Sequence, residues 1–172
     1  MPSSLQCDAL LNDDTVDGDK DKRTVTVHLV TSPVQFCCEM PGSDGSLHHW
    51  ALVFAFKGHR VVRLEIQKGN GGCIEPHVNW DWPRRGEGGF SLTLGDYVAS
   101  PNEVIESAKI NELNGKAYKV NKRNCQHWVK KMAEKLPDHI REKLDDVKTF
   151  SEAKPICAAV VNSSMSFKKT KD

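Results

Sequence analysis

The stretch RNCQHWVKKMAEKL, residues 123–136, sets a cysteine at the start of a helical pattern. Cys125 there could be a buried inert thiol, a metal ligand beside His127, or a nucleophile. Asn124 is a strong helix N-cap residue, which makes Cys125 the first helical residue. Stepping round at about 100° per residue, Trp128, Val129, Met132, Ala133 and Leu136 all fall within roughly 80° of Cys125. Lys130, Lys131 and Glu134 lie on the other side, and so does His127, at about 200°. Cys125 therefore faces the body of the protein and His127 faces away from it. No second Cys/His pair stands at zinc-binding spacing, so no metal is expected. A buried cysteine is commonly inert. A helix start, however, aims free N–H groups and the positive end of the macrodipole at the sulfur, and both favour a thiolate. A nucleophilic thiol also needs a base.

Seven histidines could serve: His28, His48, His49, His59, His77, His127 and His139. The runs HHWALVFAF (48–56) and RVVRLEIQ (60–67) are joined by a short connection and read as a β-hairpin. Centring the turn on Gly58 gives two distinct faces. Trp50, Leu52, Phe54 and Phe56 share one with Arg60, Val62, Leu64 and Ile66. His49, Ala51, Val53 and Ala55 share the other with Val61, Arg63, Glu65 and Gln67. A one-residue slip would mix these sets. The second face is lined with small residues on its first strand and leaves room for a helix. If the 125–136 helix lies there, Cys125 meets His49. Gln67, directly opposite, or Glu65, on the diagonal, then holds the imidazole. That is a nucleophile, a base and an orienting group. His48 points to the other side of the strand.

The elements that must position these residues follow from the pattern. TVTVHLVTS (24–32) alternates as a strand, GCIEPHVNW (72–80) is a further, weaker one, and GGFSLTLGDYV (88–98) holds another. Ser100, Pro101 and Glu103 form a capping box with Pro at its first helical position, predicting a helix over 102–113 that stops at Gly115. KAYKV (116–120) is a short strand or extended link. Pro137 stops the Cys125 helix, and Ile140, Leu144 and Val147 stripe a third helix over 138–147. Strands first and helices later predict an α+β fold with an antiparallel sheet.

Charge is 27% of residues and nearly balanced at +1, unlike the basic footprint of a nucleic-acid binder. No run approaches the ~18 apolar residues of a membrane-spanning helix. Residues 1–22 are acidic and aperiodic and are expected to be a disordered tail. Residues 163–172 are expected to fray, leaving one domain over 23–162. Neither a leader nor a lipidation signal is expected. The six cysteines are scattered, with Cys37 and Cys38 adjacent, so they are expected to be reduced and the chain cytoplasmic. The Cys37-Cys38 pair reads as strand-buried, GNGG (69–72) as a flexible turn lacking the residues of a phosphate loop, and WDWPRRGEGG (80–89) as a loop.

HWALVF (49–54) resembles the His-Trp-Ala-aliphatic box of the lecithin:retinol acyltransferase-like family, and YKVNKRNCQHWV (118–129) resembles its Asn-Cys-Glu-His-Phe box. The likeness extends over about 24–136. It implies a permuted papain-like (NlpC-type) fold, with the histidine before the cysteine and the sheet packed against the helix that carries the nucleophile. Cys125 would be that nucleophile and His49 its base, with the Cys125 backbone N–H in the oxyanion site. The family's third residue sits on the strand after the histidine box. An ungapped match puts Arg63 there, but a guanidinium has no acceptor for an imidazole N–H. Geometry favours Glu65, then Gln67. Gln126 stands where the family has Glu, and Trp128 where it has Phe. In place of the hydrophobic anchor of membrane-acting members, the chain has ICAAVV (156–161).

The implied activity is thiol-dependent acyl hydrolysis or transfer at an ester, thioester or amide, without a cofactor, on an acyl-bearing lipid or a peptide. The chain is expected to be a monomer, with peripheral membrane contact left open. One alternative is an isopeptidase or peptidase of the same superfamily, akin to the permuted deSUMOylating hydrolases. The other is a non-catalytic interaction module on the same fold.

Overall fold

In the computed structural model, residues 18–33, 48–58, 61–69, 71–80, 90–119, 122–147 and 154–155 are described. The alternating β-branched runs form strands β1 (Arg23–Pro33), β2 (His48–Phe56), β3 (Val61–Lys68), β4 (Ile74–Trp80) and β5 (Phe90–Ala99). Helices α1 (Pro101–Lys109), α2 (Cys125–Ala133) and α3 (Asp138–Asp145) follow, then a two-residue strand β6 (Lys154–Pro155). The sheet runs β4-β3-β2-β1-β5-β6, so β6 extends five full strands at one edge. Every described pairing is antiparallel. The fold is α+β, as expected. Among the described residues no helix is long and apolar enough to cross a membrane.

The hairpin register is the expected one: Leu52 pairs with Leu64, Val53 with Arg63, Phe54 with Val62 and Ala55 with Val61. Gly58 takes φ 77° at the turn, a conformation that costs glycine little. The capping box at Ser100 is formed in both directions, with Pro101 at its first helical position. Helix α1 ends at Lys109, short of the predicted 113. Asn114 donates to the carbonyls of Ala108 and Lys109, and Asn111 donates to Trp128 O, so asparagine side chains take over where the helix ladder would continue.

One prediction about layering is overturned. Helix α2 does not lie on the small-residue face of the hairpin. Its buried residues Trp128, Val129, Met132 and Ala133 join a single core with Trp50, Leu52, Phe54, Val62 and Leu64. Residues of α1 (Val104, Ile105) and α3 (Ile140, Leu144) belong to the same core. All three helices thus pack on the aromatic face. The reason is area: Trp128 and Met132 bury far more apolar surface against Trp50 and Phe54 than against Ala51 and Ala55. The opposite face has its own smaller cluster of Val30, Ala51, Val53, Ala55 and Val61.

Among the described residues, contacts reach back to Asp19, four residues before the expected start of the domain. Arg23 donates to both Asp19 carboxylate oxygens at 2.7 and 3.1 Å, and the Asn102 N–H donates to Asp19 O at 3.1 Å. Lys22 pairs with Glu103 in the first turn of α1. Residues 1–17, the predicted tail from 163, the Cys37-Cys38 pair, His59 and residues 81–89 lie outside the described residues. In GNGG the Gly72 N–H donates to Gly69 O, and Asn70 lies outside the described residues. The expectation of uniformly reduced cysteines fails at Cys73, which is disulfide-bonded. Spacing along a chain carries no information on sulfur proximity, and a disulfide depends on that alone.

His28 lies in the second face at 1% exposure, with Thr93 Oγ1 3.1 Å from its Nδ1. Among the described residues its Nε2 has no hydrogen-bond partner. Burial pushes the ring down to about 4, against a weaker opposing pull from Asp96. The folded value lies below the unfolded one, so the neutral ring's contribution is present above about pH 6.5 and is lost as pH falls toward 4. We expect His28→Asn to remove roughly 2–3 kcal/mol of the stability that the wild type loses between pH 7 and pH 4.5. Urea unfolding at the two pH values measures it; equal acid losses in both proteins would refute the assignment.

Candidate functional site

Asn124 caps α2 with extended backbone, and its Oδ1 accepts the backbone N–H of His127 at 3.1 Å and the His127 Nδ1–H at 2.7 Å. This fixes Cys125 at the first helical position, where its own N–H has no partner within the helix. It also occupies His127, which is exposed and serves the cap. Cys125 is in no disulfide and is 6% exposed.

How Cys125 reaches a histidine on the far face follows from the end of the hairpin. The described β2–β3 pairs stop at Leu52↔Leu64, and the His49 end of β2 lies beyond them. There the Trp50 N–H lies 3.5 Å from Cys125 Sγ and donates to it. Strand N–H groups point along the plane of a sheet, not above or below it. A sulfur held by one sits at the level of the sheet, within reach of side chains from either face. His49 makes a side-chain hydrogen bond with Cys125 from the second face.

The other side of the imidazole is anchored. His49 Nε2–H donates to Glu65 Oε2 at 2.8 Å. Arg63 donates to the same oxygen at 2.8 Å, and Asn79 donates to Glu65 Oε1 at 2.8 Å. With Nε2 taken by Glu65, Nδ1 is the ring nitrogen left for Cys125. Gln67, the second choice for the orienting group, is exposed and pairs with Glu75 on β4. Arg63 touches the carboxylate that touches His49.

The electrostatics match this geometry. Burial is the largest influence on His49 and opposes its charge, yet hydrogen bonds and negative charge from Cys125 and Glu65 outweigh it and raise the ring to about 9. Burial likewise opposes ionisation of Glu65, but the His49 hydrogen bond and the Arg63 charge carry it below the usual carboxylate range. Tyr118 is pushed up by burial and by the charge of Cys125. At neutral pH the site therefore holds a charged imidazole between the Cys125 sulfur and the Glu65 carboxylate.

The structure brings together Cys125, His49 and Glu65, the three residues singled out from the sequence. Two further participants were not singled out. Asn79 lies opposite Arg63 on β4, and extending the hairpin register by one strand would have found it. The Trp50 amide is backbone and leaves no sequence signal. His28, His77 and His139 serve elsewhere: His28 lies in the second face, His77 pairs opposite Glu65 on β4, and His139 donates to Asp96 O. Among the described residues no group of three or more His, Cys, Asp or Glu could hold a metal. No family model matches the chain, and neither a curated protein nor a solved structure matches it.

Proposed function

We propose that this chain is a thiol-dependent acyl hydrolase or acyltransferase that works through an acyl-enzyme on Cys125. The observation that carries the reading is the ordered series Cys125–His49–Glu65, with the thiol at a helix start. The resemblance of HWALVF and NCQHWV to the lecithin:retinol acyltransferase-like boxes supports it. So does the antiparallel sheet with a cysteine-bearing helix on one face, which suits a permuted papain-like fold.

The steps follow from the atoms present. Cys125 Sγ, as thiolate, attacks the carbonyl carbon of an ester, thioester or amide. The oxyanion is met by the Cys125 N–H at the start of α2. His49 Nδ1–H gives its proton to the leaving alcohol, thiol or amine as the carbon–heteroatom bond breaks, leaving a thioester on Cys125. His49, now neutral, takes a proton from water or an acceptor, which attacks the thioester and frees the thiolate. Glu65 holds Nε2–H throughout and keeps Nδ1 aimed at the sulfur. Every residue comes from one chain, so the reading needs no second copy. The expected cytosolic location loses one of its supports with the Cys73 disulfide, because such bonds are rare in that compartment.

Iodoacetamide labelling across pH with peptide mapping tests the site without a known substrate. Cys125 is expected to react faster than a free thiol at pH 6, and His49→Ala to slow it. Incubation with a small acyl thioester is expected to add the acyl mass to Cys125. Turnover needs the His49 proton and is expected to fall above about pH 9, while alkylation, which needs only the thiolate, continues to rise or levels off. A Cys125 that reacts like a free thiol, unaffected by His49→Ala, would leave a non-catalytic module as the reading.

A further inference from the structure

We propose that Arg63 and Asn79 are positioning residues that hold the Glu65 carboxylate ionised and in one orientation, so that it can fix the ring of His49. This rests on the catalytic reading above and adds the control of its third residue.

The geometry assigns each contact a task. Glu65 is 8% exposed and Arg63 9% exposed. A carboxyl so buried, left alone, tends to keep its proton. A protonated Glu65 would present an O–H as well as a carbonyl, and the carboxylate's full charge would no longer favour Nε2–H. The ring would then lose the negative charge that stabilises its own positive one, and Nδ1 would no longer hold the proton that it gives to the leaving group. Arg63 prevents this with a permanent positive charge 2.8 Å from Oε2, the oxygen that also receives His49. Arg63 cannot orient His49 itself, having only donors. Asn79 is neutral and holds Oε1, which stops the carboxylate from turning about its last bond. The three donors arrive from three adjacent strands: β2, β3 and β4. Among the described residues, the titratable or charged groups facing Glu65 are His49 on β2, Arg63 on β3 and His77 opposite on β4. Cys125 on α2 couples to it through His49.

A merely structural ion pair would leave the site's pH behaviour unchanged, and this separates the two roles. Two quantities are measured on the full chain: the titration of Glu65 by carboxyl carbon NMR, and the pH profile of Cys125 alkylation by iodoacetamide. Arg63→Gln is expected to raise the Glu65 titration by about 1–3 pH units. The acid limb of the alkylation profile is expected to move up with it. Arg63→Lys, which keeps the charge, is expected to return both toward wild type. Asn79→Asp sets a second carboxylate beside Glu65 and is expected to move both in the same direction as Arg63→Gln; it carries the test if Arg63→Gln does not fold. An unmoved Glu65 titration overturns the proposal, and so does a Glu65 that moves while the acid limb stays in place. Wild-type Cys125 reacting like a free thiol overturns the catalytic reading instead, a result that the Glu65 titration does not depend on.

Discussion

Cys125→Ala is expected to reduce turnover of an activated acyl ester to the uncatalysed background, and His49→Ala to reduce it about 10²–10⁴-fold. The double variant is expected to be no worse than Cys125→Ala alone. The physical reason is that the two side chains act as one unit. On the proposed mechanism His49 contributes by giving a proton to the leaving group and taking one from the acceptor, so without the sulfur it has nothing to serve. Additive losses would mean that His49 and Cys125 act in separate steps or separate sites. Initial rates for the four proteins, with near-UV circular dichroism to show that each is folded, make the comparison. The Trp50 amide sits on the sulfur from the backbone and remains in every variant, so the comparison isolates the side chains.

Trp128→Ala is expected to be the most damaging change to the fold. Trp128 is fully buried at the centre of the core shared by α2 and the hairpin. Its indole N–H donates to Asn114 Oδ1 at 2.8 Å, in the segment that follows α1. Losing the ring removes apolar area and leaves a cavity, which together cost about 3–5 kcal/mol. The stranded Asn114 acceptor adds roughly 1 kcal/mol. Against a total stability of about 5–15 kcal/mol, this is a large fraction. The midpoint of thermal unfolding is expected to fall by on the order of 10 °C or more. Trp128→Phe keeps most of the packing and loses the N–H, so its fall should be well under half as large. Val98→Ala, on a β5 residue that is 62% exposed, is expected to change little. Equal shifts for Trp128→Ala and Val98→Ala would contradict the placement of the core.

Much of this architecture is local chemistry and could be read from the chain. Asn124 and Ser100 are caps because their side chains bond backbone N–H groups two or three residues ahead, an interaction that sequence neighbours decide. The hairpin register follows from alternation, because a slip would turn Leu52 and Phe54 out of the core. The helical phase separated Cys125 from His127 for the same kind of reason. The length of the hairpin arms favours Glu65 over Arg63 as the orienting residue, and Glu65 is the residue bonded to His49.

The remainder depends on contacts between distant segments. Which face of the hairpin α2 covers is a competition between apolar areas, and the small residues that suggested room also offered little surface. Cys125 still meets His49 from the opposite layer because β2 and β3 stop pairing at Leu52↔Leu64, which leaves the Trp50 amide to place the sulfur at sheet level. The Cys73 disulfide depends on proximity that spacing does not encode. The sequence by itself determined the elements, most of their caps and the hairpin register, and it brought Cys125, His49 and Glu65 forward as candidates, since periodicity and short-range bonding act within a few residues. Only the tertiary structure decided the layer of α2, the level of the sulfur and the grip of Arg63 and Asn79 on Glu65, because each is settled by packing between strands and helices far apart in the chain.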